Sequence, residues 1–478
     1  MASINFIASP NDVSHPIKAS SKSFDHLENG FSLGNKNLGG IDRNHVAGAS
    51  VRQNRREGEL VVEGEIPLWL NGIYLRNGPG MTHVGDYNFH HLFDGYAMVA
   101  KLQFEKGRLT AGHCQIESEA DKAAMKHSKL IYPESSEAPK ADNFLFYIGE
   151  LTSLISWLGD GRVICLTDMR KGTIRIDLTT LETLGRLEYA DSAGGPLQSA
   201  HPIVTETEFL TALPDLIDPG SWVECRGGPT ACRVPSFVVT EHYVVPEMPL
   251  RCGVKSILKA KPNPLYRFVW HKESTGFAHV MCKASGKIAT CVEVPLFVAV
   301  HLISAYEETD EDERAVAAIA DCCEHQGGAT ILHNLTLQNL HSFAGQDMGI
   351  HIPHGKLKTA LDLSEHGRGI DFSKISPAFP GKRYRFVYAC GAQCPCNSPS
   401  ALIKVSAGRS SGEQAKNWHE DGAVPLEPFF SARPGATEED DGGYALLLDG
   451  STFREISRGA KFLCSLPYGF HGCWVPKK

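Results

Sequence analysis

Short apolar and aromatic runs, each followed by a glycine-containing turn, recur along the chain from about residue 51 onward. Examples are the runs at 97–104, 162–166, 173–178, 279–283, 287–294 and 384–390. A spacing of about 8–12 residues between turns is typical of all-β folds, namely sandwiches, barrels and propellers. No fixed-period repeat is evident, so this pattern does not choose among the three.

One helix is predicted at Asp142–Leu158, where apolar residues recur on one helical face. Two interpretations of that face stay open. The helix packs against the core, or the stretch from Phe144 to Leu158 forms an apolar patch for peripheral contact with a membrane surface.

The first 50 residues lack periodicity and are rich in Ser, Asn and Gly. They are predicted to be a disordered arm or a plastid transit peptide, and the residues alone favour neither. A single domain is expected over 51–478.

Composition narrows the function classes. The chain has 478 residues, a formal charge of −8 and 42% hydrophobic residues, which is globular composition. No dense basic block is present, so nucleic-acid binding is not expected, and no apolar run reaches the ~18 residues of a membrane span.

The 14 cysteines indicate a reducing compartment. The cluster Cys390, Cys394 and Cys396 is interpreted as buried thiols, with a soft-metal site as the alternative.

Four histidines, His201, His242, His301 and His471, lie within or at the end of apolar, β-favouring runs. Burying an unpaired imidazole is costly, and separate blades that each deliver one ligand to a central axis would produce such a set. Any one of them alone, among 21 histidines, is better explained as a core or surface residue. Imidazole ligands suit Fe, Zn, Cu or Ni. Glu439, in an acidic turn, is either a carboxylate that orients a ligand histidine or a solvated side chain.

The tail around His471 is apolar and carries Trp474 close to the end of the chain. Terminal residues are usually polar and frayed, so this tail is predicted to dock into the core.

Two segments, Leu70–Pro79 and Phe89–Gly95, resemble the opening signature of the carotenoid cleavage dioxygenases. The four histidine contexts and the acidic turn match in order. The stretches 433–442, 443–452 and 467–476 resemble the type-8 subgroup of land plants.

The resemblance implies a seven-bladed β-propeller with a helical and loop dome over an axial non-haem Fe(II). It implies that His201, His242, His301 and His471 are the iron ligands, and that Glu439, Asp168 and Asp371 are the carboxylates behind them. The family usually has Glu where this chain has Asp168, which is one methylene shorter. Relative to the family pattern the acidic turn joins Gly443 directly, which implies an incomplete blade there.

The implied reaction is oxygenation of a hydrophobic apocarotenoid by O2, with 9-cis-β-apo-10′-carotenal converted to carlactone for strigolactone biosynthesis. The implied compartment is the plastid, in the chloroplast stroma or at its membranes. Two alternatives stay open. One is a dioxygenase of the same family that cleaves another carotenoid or apocarotenoid. The other is an inactive propeller that binds apocarotenoids.

Overall fold

The computed structural model of the chain describes Ala2–Ile7 and, with gaps, residues 55–477. The longer gaps are 8–54, 133–150, 188–198, 211–231, 253–267, 326–369, 392–400, 407–415, 430–456 and 460–468. The described residues are mostly β-strand, with one α-helix, α1 (Glu119–His127), and one 3₁₀ turn, Leu92–Asp94.

The strands in the N-terminal half of the chain are β1 (Ala2–Ile7), β2 (Arg55–Leu60), β3 (Val62–Gly64), β4 (Gly72–Met81), β5 (His83–Val84), β6 (Tyr87–Asn88), β7 (Tyr96–Glu105), β8 (Arg108–Gln115), β9 (Leu151–Trp157), β10 (Val163–Asp168), β11 (Ile174–Ile176), β12 (Thr183–Arg186), β13 (Ile203–Val204), β14 (Phe209–Leu210), β15 (Cys232–Arg233) and β16 (Phe237–Val239).

The strands that follow are β17 (Tyr243–Pro246), β18 (Leu250–Cys252), β19 (Phe268–Val269), β20 (Gly276–Cys282), β21 (Ile288–Val294), β22 (Val298–Thr309), β23 (Ala315–His325), β24 (Ile370–Lys374), β25 (Phe386–Gly391), β26 (Ala401–Ser406), β27 (Lys416–His419), β28 (Ser457–Gly459) and β29 (Gly472–Pro476).

Most of these strands form antiparallel meanders that follow one another along the chain. The orders are β12-β11-β10-β9, then β16-β17-β20-β21, then β22-β23, then β24-β25-β26-β27; β1, from the start of the chain, is added at the edge of this third sheet, next to β23. A further sheet, β2-β8-β7-β4-β29, joins strands from both ends of the chain. Successive meanders closed by pairing of the last strand with an early sheet are characteristic of a β-propeller. The all-β prediction is confirmed and the arrangement is propeller-like, while the number of blades stays a prediction.

The C-terminal tail docks as its apolar sequence predicts. β29 pairs antiparallel with β4, from Gly472 opposite Arg76 to Pro476 opposite Gly72. Trp474 stacks on Phe429, with ring centroids 5.1 Å apart and planes 9° apart. The tail is therefore an integral strand of the sheet β2-β8-β7-β4-β29. It holds His471, the residue just before β29, against β4.

The helix predicted at Asp142–Leu158 is wrong over its C-terminal half, because Leu151–Trp157 forms β9. Residues 142–150 lie outside the described residues. β9 pairs antiparallel with β10, and Ile155 becomes fully buried in the main core cluster. Cross-strand pairing and burial of β-branched and aromatic side chains override the helical spacing. The membrane contact predicted at 144–158 stays a prediction, and none of the described helices is long and apolar enough to cross a bilayer.

Candidate metal centre

Three of the predicted histidines meet in the interior. His201, His301 and His471 each offer a ligand atom, and these atoms lie within 4.8 Å of one another. The ring centroid of His201 is 5.1 Å from the ring centroid of His301 and 4.5 Å from that of His471. His301 and His471 are buried and His201 is half-buried. Among the residues that the structure describes, these are the one group of three or more His, Cys, Asp or Glu side chains arranged to hold a metal ion.

Each histidine is placed by a different part of the fold. His301 lies within β22, where the pairing with β23 shifts register between Ala299 and Leu302. His471 directly precedes β29, and its carbonyl oxygen accepts a hydrogen bond from the Asn77 N–H at 3.1 Å. His201 precedes β13, and its backbone N–H donates to Ser199 Oγ at 3.3 Å. The sheets therefore carry residues 170 positions apart in the sequence to one point.

Two carboxylates hold the two buried imidazoles. Asp371 Oδ1 is 2.6 Å from His301 Nδ1. Glu427 Oε1 is 2.8 Å from His471 Nδ1, and Glu427 Oε2 accepts the Gly472 N–H at 2.8 Å. A carboxylate at Nδ1 fixes the proton on that nitrogen and leaves the Nε2 lone pair for a metal ion.

The buried Glu427 is anionic. Burial by itself would raise its pKa, but the Lys374 ammonium, whose Nζ is 3.0 Å from Oε1, and His471 lower the pKa to about 2. Burial lowers the pKa of His471, against the opposing effect of Glu427. A neutral imidazole hydrogen-bonded to an anionic carboxylate is the state that metal binding requires.

The geometry fits a single metal ion. His301 Nε2 and His471 Nε2 lie 3.2 Å apart. This separation is less than twice the metal–imidazole bond of about 2.1 Å, so one ion can bind both atoms. Three imidazoles with no thiolate suit a divalent first-row ion such as Fe, Co or Zn.

The structure does not bring His242 to this cluster. His242 lies in the turn between β16 and β17, and its side chain is 64% exposed. Its Nδ1 is 2.9 Å from Glu307 Oε2, and its backbone N–H donates to Glu307 Oε1 at 2.8 Å. Thr240 also donates to Glu307. Although an apolar run precedes His242, the turn directs it to the surface, and it is not part of the described histidine cluster.

The carboxylates predicted from the sequence have different outcomes. Asp371 lies against His301, as described above. Asp168 ends β10, where the structure does not describe its side chain. Glu439 lies outside the described residues. Both of these roles stay predictions.

Glu427 is a site residue that the sequence analysis missed. It stands between Leu426 and Pro428 in the apolar segment Val424–Phe430. An acidic residue is rarely buried without a partner, so its apolar setting is the signal that could have identified it.

Cys390 is a buried free thiol, as predicted, while the choice between buried thiols and a soft-metal site for the whole cluster stays open. Cys390 is buried in β25, and burial raises its pKa well above the usual range. Cys394 and Cys396 lie outside the described residues.

Comparison with solved structures shows which fold the chain shares. Cobalt-substituted Synechocystis ACO matches with a TM-score of 0.71 and 18% identity, covering 91% of this chain and 99% of that one. A Glu150Gln mutant of Synechocystis apocarotenoid oxygenase matches with a TM-score of 0.66 and 17% identity, covering 91% and 98%. At these identities the likeness establishes the fold alone.

Comparison with characterised sequences is more specific. The family described as "Retinal pigment epithelial membrane protein" matches residues 48–476. "Carotenoid cleavage dioxygenase 8 homolog B, chloroplastic" of Oryza sativa subsp. japonica is 54% identical, covering 91% of this chain and 85% of that protein. "Carotenoid cleavage dioxygenase 8, chloroplastic" of Arabidopsis thaliana is 48% identical, covering 92% and 87%. The chain therefore belongs to the retinal pigment epithelial membrane protein family, the carotenoid oxygenases, and within it to the plant carotenoid cleavage dioxygenase 8 group.

Proposed function

We propose that the chain is a non-haem Fe(II) dioxygenase that cleaves an apocarotenoid with O2, and that His201, His301 and His471 are its iron ligands. The observation that carries this proposal is the convergence of three imidazoles, two of them held by carboxylates at Nδ1. Membership of the carotenoid cleavage dioxygenase 8 group supports the reaction class.

The protein groups have distinct roles in this proposal. Asp371 and Glu427 hold Nδ1–H of His301 and His471, so the two Nε2 atoms stay directed at one point. Phe372 packs its ring against both imidazoles, with centroids 5.1 and 5.6 Å away. Iron, when bound, supplies the position at which O2 is activated toward the polyene. The reaction needs no protein nucleophile.

The substrate proposed is 9-cis-β-apo-10′-carotenal and the product carlactone, in strigolactone biosynthesis. Support comes from the 47–54% identity to three plant relatives named as carotenoid cleavage dioxygenase 8 or its homologues. All three are named chloroplastic, and on that basis we propose a plastid location.

A second candidate is a propeller that binds apocarotenoids and has lost turnover. One observation favours it: the structure brings together three of the four predicted ligand histidines and leaves His242 in a surface turn. The retention of two buried histidine–carboxylate pairs opposes it, because buried polar pairs without a use are costly to keep.

The test is to purify the protein anaerobically with Fe(II), measure bound iron, and then supply the 9-cis apocarotenal and O2. One iron per chain with carlactone formed is the expected result. Iron with a different cleavage product points to another substrate, and iron without turnover supports the binding protein. The absence of iron at saturating metal would refute the proposed site.

Two histidine variants test the ligand set. His471→Ala is expected to abolish stoichiometric iron binding and turnover, because it removes a buried ligand and leaves Glu427 facing a cavity. His242→Ala is expected to retain one iron per chain, since its imidazole contacts Glu307 at the surface. Loss of iron in His242→Ala would show that four histidines bind the metal after all.

A further inference from the structure

An extra residue interrupts β24 beside the metal centre. Asp371 lies opposite Cys390 of β25, and Lys374 lies opposite Tyr388. The chain therefore advances three residues on β24 while it advances two on β25. This count, with a register shift between Asp371 and Lys374, defines a β-bulge.

The bulge changes which side chains share a face. Cys390 and Tyr388 are two residues apart and so lie on one face of β25. Their partners Asp371 and Lys374 lie on that same face, although a separation of three would place them on opposite faces of a regular strand. Without the bulge Ser373 would take the place of Lys374.

Two residues of the bulged segment, Asp371 and Lys374, contact the centre from this position. Asp371 Oδ1 is 2.6 Å from Nδ1 of His301. Lys374 Nζ is 3.0 Å from Glu427 Oε1, the same oxygen that is 2.8 Å from Nδ1 of His471. One local irregularity thus supports both buried histidines through two different carboxylates.

Phe372, which directly follows Asp371 in the bulged segment, has an uncommon backbone conformation. Its φ is +51°, in the left-handed region that bulky side chains avoid. The other described non-glycine residues with positive φ are Lys106, Ser128 and Leu181, and they lie in turns or at a helix end. Among the described non-glycine residues, Phe372 alone combines a positive φ with a position inside a strand. Such conformations cluster at functional sites, where the surrounding structure enforces them.

We propose that the left-handed backbone of Phe372 is the positioning device of the metal centre, because it turns Asp371 and Lys374 together toward the histidine–carboxylate pairs. Phe372 is a positioning residue that acts through Asp371 and Lys374, and its aromatic ring is secondary to its backbone. This inference rests on the proposed metal-binding function.

Two substitutions separate backbone from ring. Phe372→Gly removes the ring but adopts positive φ readily, so the bulge is retained. Phe372→Val keeps more apolar volume but is β-branched and resists positive φ. Binding of Co(II) to the metal-free protein is measured by titration, and the visible absorption of bound Co(II) reports its coordination. Phe372→Gly is expected to bind within about threefold of wild type, and Phe372→Val to lose about tenfold or more, the scale of a lost partner of a ligand histidine.

Leu181 supplies the matched control. It also has positive φ (62°) and is buried, but it lies in the turn between β11 and β12, outside the histidine cluster. Leu181→Gly and Leu181→Val are expected to leave Co(II) affinity and the absorption spectrum unchanged, whatever they do to the unfolding midpoint.

The outcomes distinguish the possibilities. If Phe372→Val binds as tightly as Phe372→Gly, or if Phe372→Gly is the weaker of the two, the backbone role is refuted. The ring is the important part only if both variants also bind more weakly than wild type. Equal losses in the Leu181 variants would also refute it, since they would show a general effect of strain. If the wild type binds Co(II) but its Fe(II) form cleaves no apocarotenoid, the proposed function is refuted. The Co(II) affinities of the two Phe372 variants still test the role of the bulge in that case.

Discussion

Replacement of Glu427 by Gln tests how the outer carboxylate supports the centre. Every group at the Glu427 oxygens is a donor: His471 Nδ1–H at 2.8 Å, the Gly472 N–H at 2.8 Å and the Lys374 ammonium at 3.0 Å. A glutamine amide keeps the shape of the side chain but must direct its NH₂ group at one of these donors. Two donors then face each other in a buried site, and one loses its acceptor.

The pKa of Glu427 gives the scale of the effect. Its native value of about 2 lies below the ~4.3 expected in the unfolded chain. A lowered carboxyl pKa contributes stability that is present above pH ~4.3 and is lost as the pH falls toward 2. The difference corresponds to roughly 3 kcal/mol at neutral pH. Loss of a partner of a ligand histidine lowers metal affinity by about 10–100-fold.

The assay is urea unfolding of the metal-free protein at pH 7, with Fe(II) or Co(II) titration of the folded protein. Glu427→Gln is expected to lose about 3 kcal/mol of unfolding free energy and at least about tenfold in metal affinity. Glu63→Gln is the control, because Glu63 is exposed on β3. A Glu427→Gln variant with wild-type affinity, or one within about 0.5 kcal/mol of wild-type stability, would refute the role assigned to this carboxylate.

Two further predictions concern the surroundings of the site. In Gly472→Ala the new Cβ would lie 2.7 Å from the Leu75 carbonyl oxygen and 2.6 Å from the Tyr74 ring, so β29 must move away from β4. The free energy of unfolding, measured in urea, is expected to fall by about 1–3 kcal/mol. Gly58→Ala is the control and should be neutral, because its new Cβ meets nothing within 4 Å. Burial, followed by Glu117, raises the pKa of Asp121 to about 6, so its stabilising contribution is complete below the unfolded pKa of ~3.9 and is lost as the pH rises through 6. Asp121→Asn should therefore raise the unfolding free energy by about 3 kcal/mol at pH 8 and by much less at pH 4. An equal gain at both pH values would contradict the raised pKa.

The apolar tail illustrates what could be predicted locally. Its hydrophobic residues and Trp474 predicted docking into the core, and β29 pairs with β4. The stretch at 142–158 shows the limit of the same reasoning. Its apolar spacing fits a helix, yet Leu151–Trp157 pairs with β10, because a partner strand distant from a sequence window does not appear in that window.

The residues of the candidate site also fall into those that the sequence predicts and those that it does not. His201, His301 and His471 could be identified because each stands out within its own apolar run. His242 has the same local appearance, but the turn between β16 and β17 places it 64% exposed beside Glu307. Glu427 was missed because its partners are a lysine 53 positions earlier and a histidine 44 positions later, and no local pattern links them.

The sequence by itself determined the β class, the core-directed tail and the candidacy of the three histidines that meet. These features follow from strand periodicity and apolar burial, which are visible in neighbouring residues of the chain. It also determined the family, through motifs that stand together in the chain. Only the tertiary structure decided which of the described histidines converge, that Glu427 lies behind His471, and that a bulge at Phe372 places Asp371 and Lys374 on one side. These features depend on sheet register and on contacts between residues far apart in the chain, and a shift of one residue in register reverses the face that every side chain occupies.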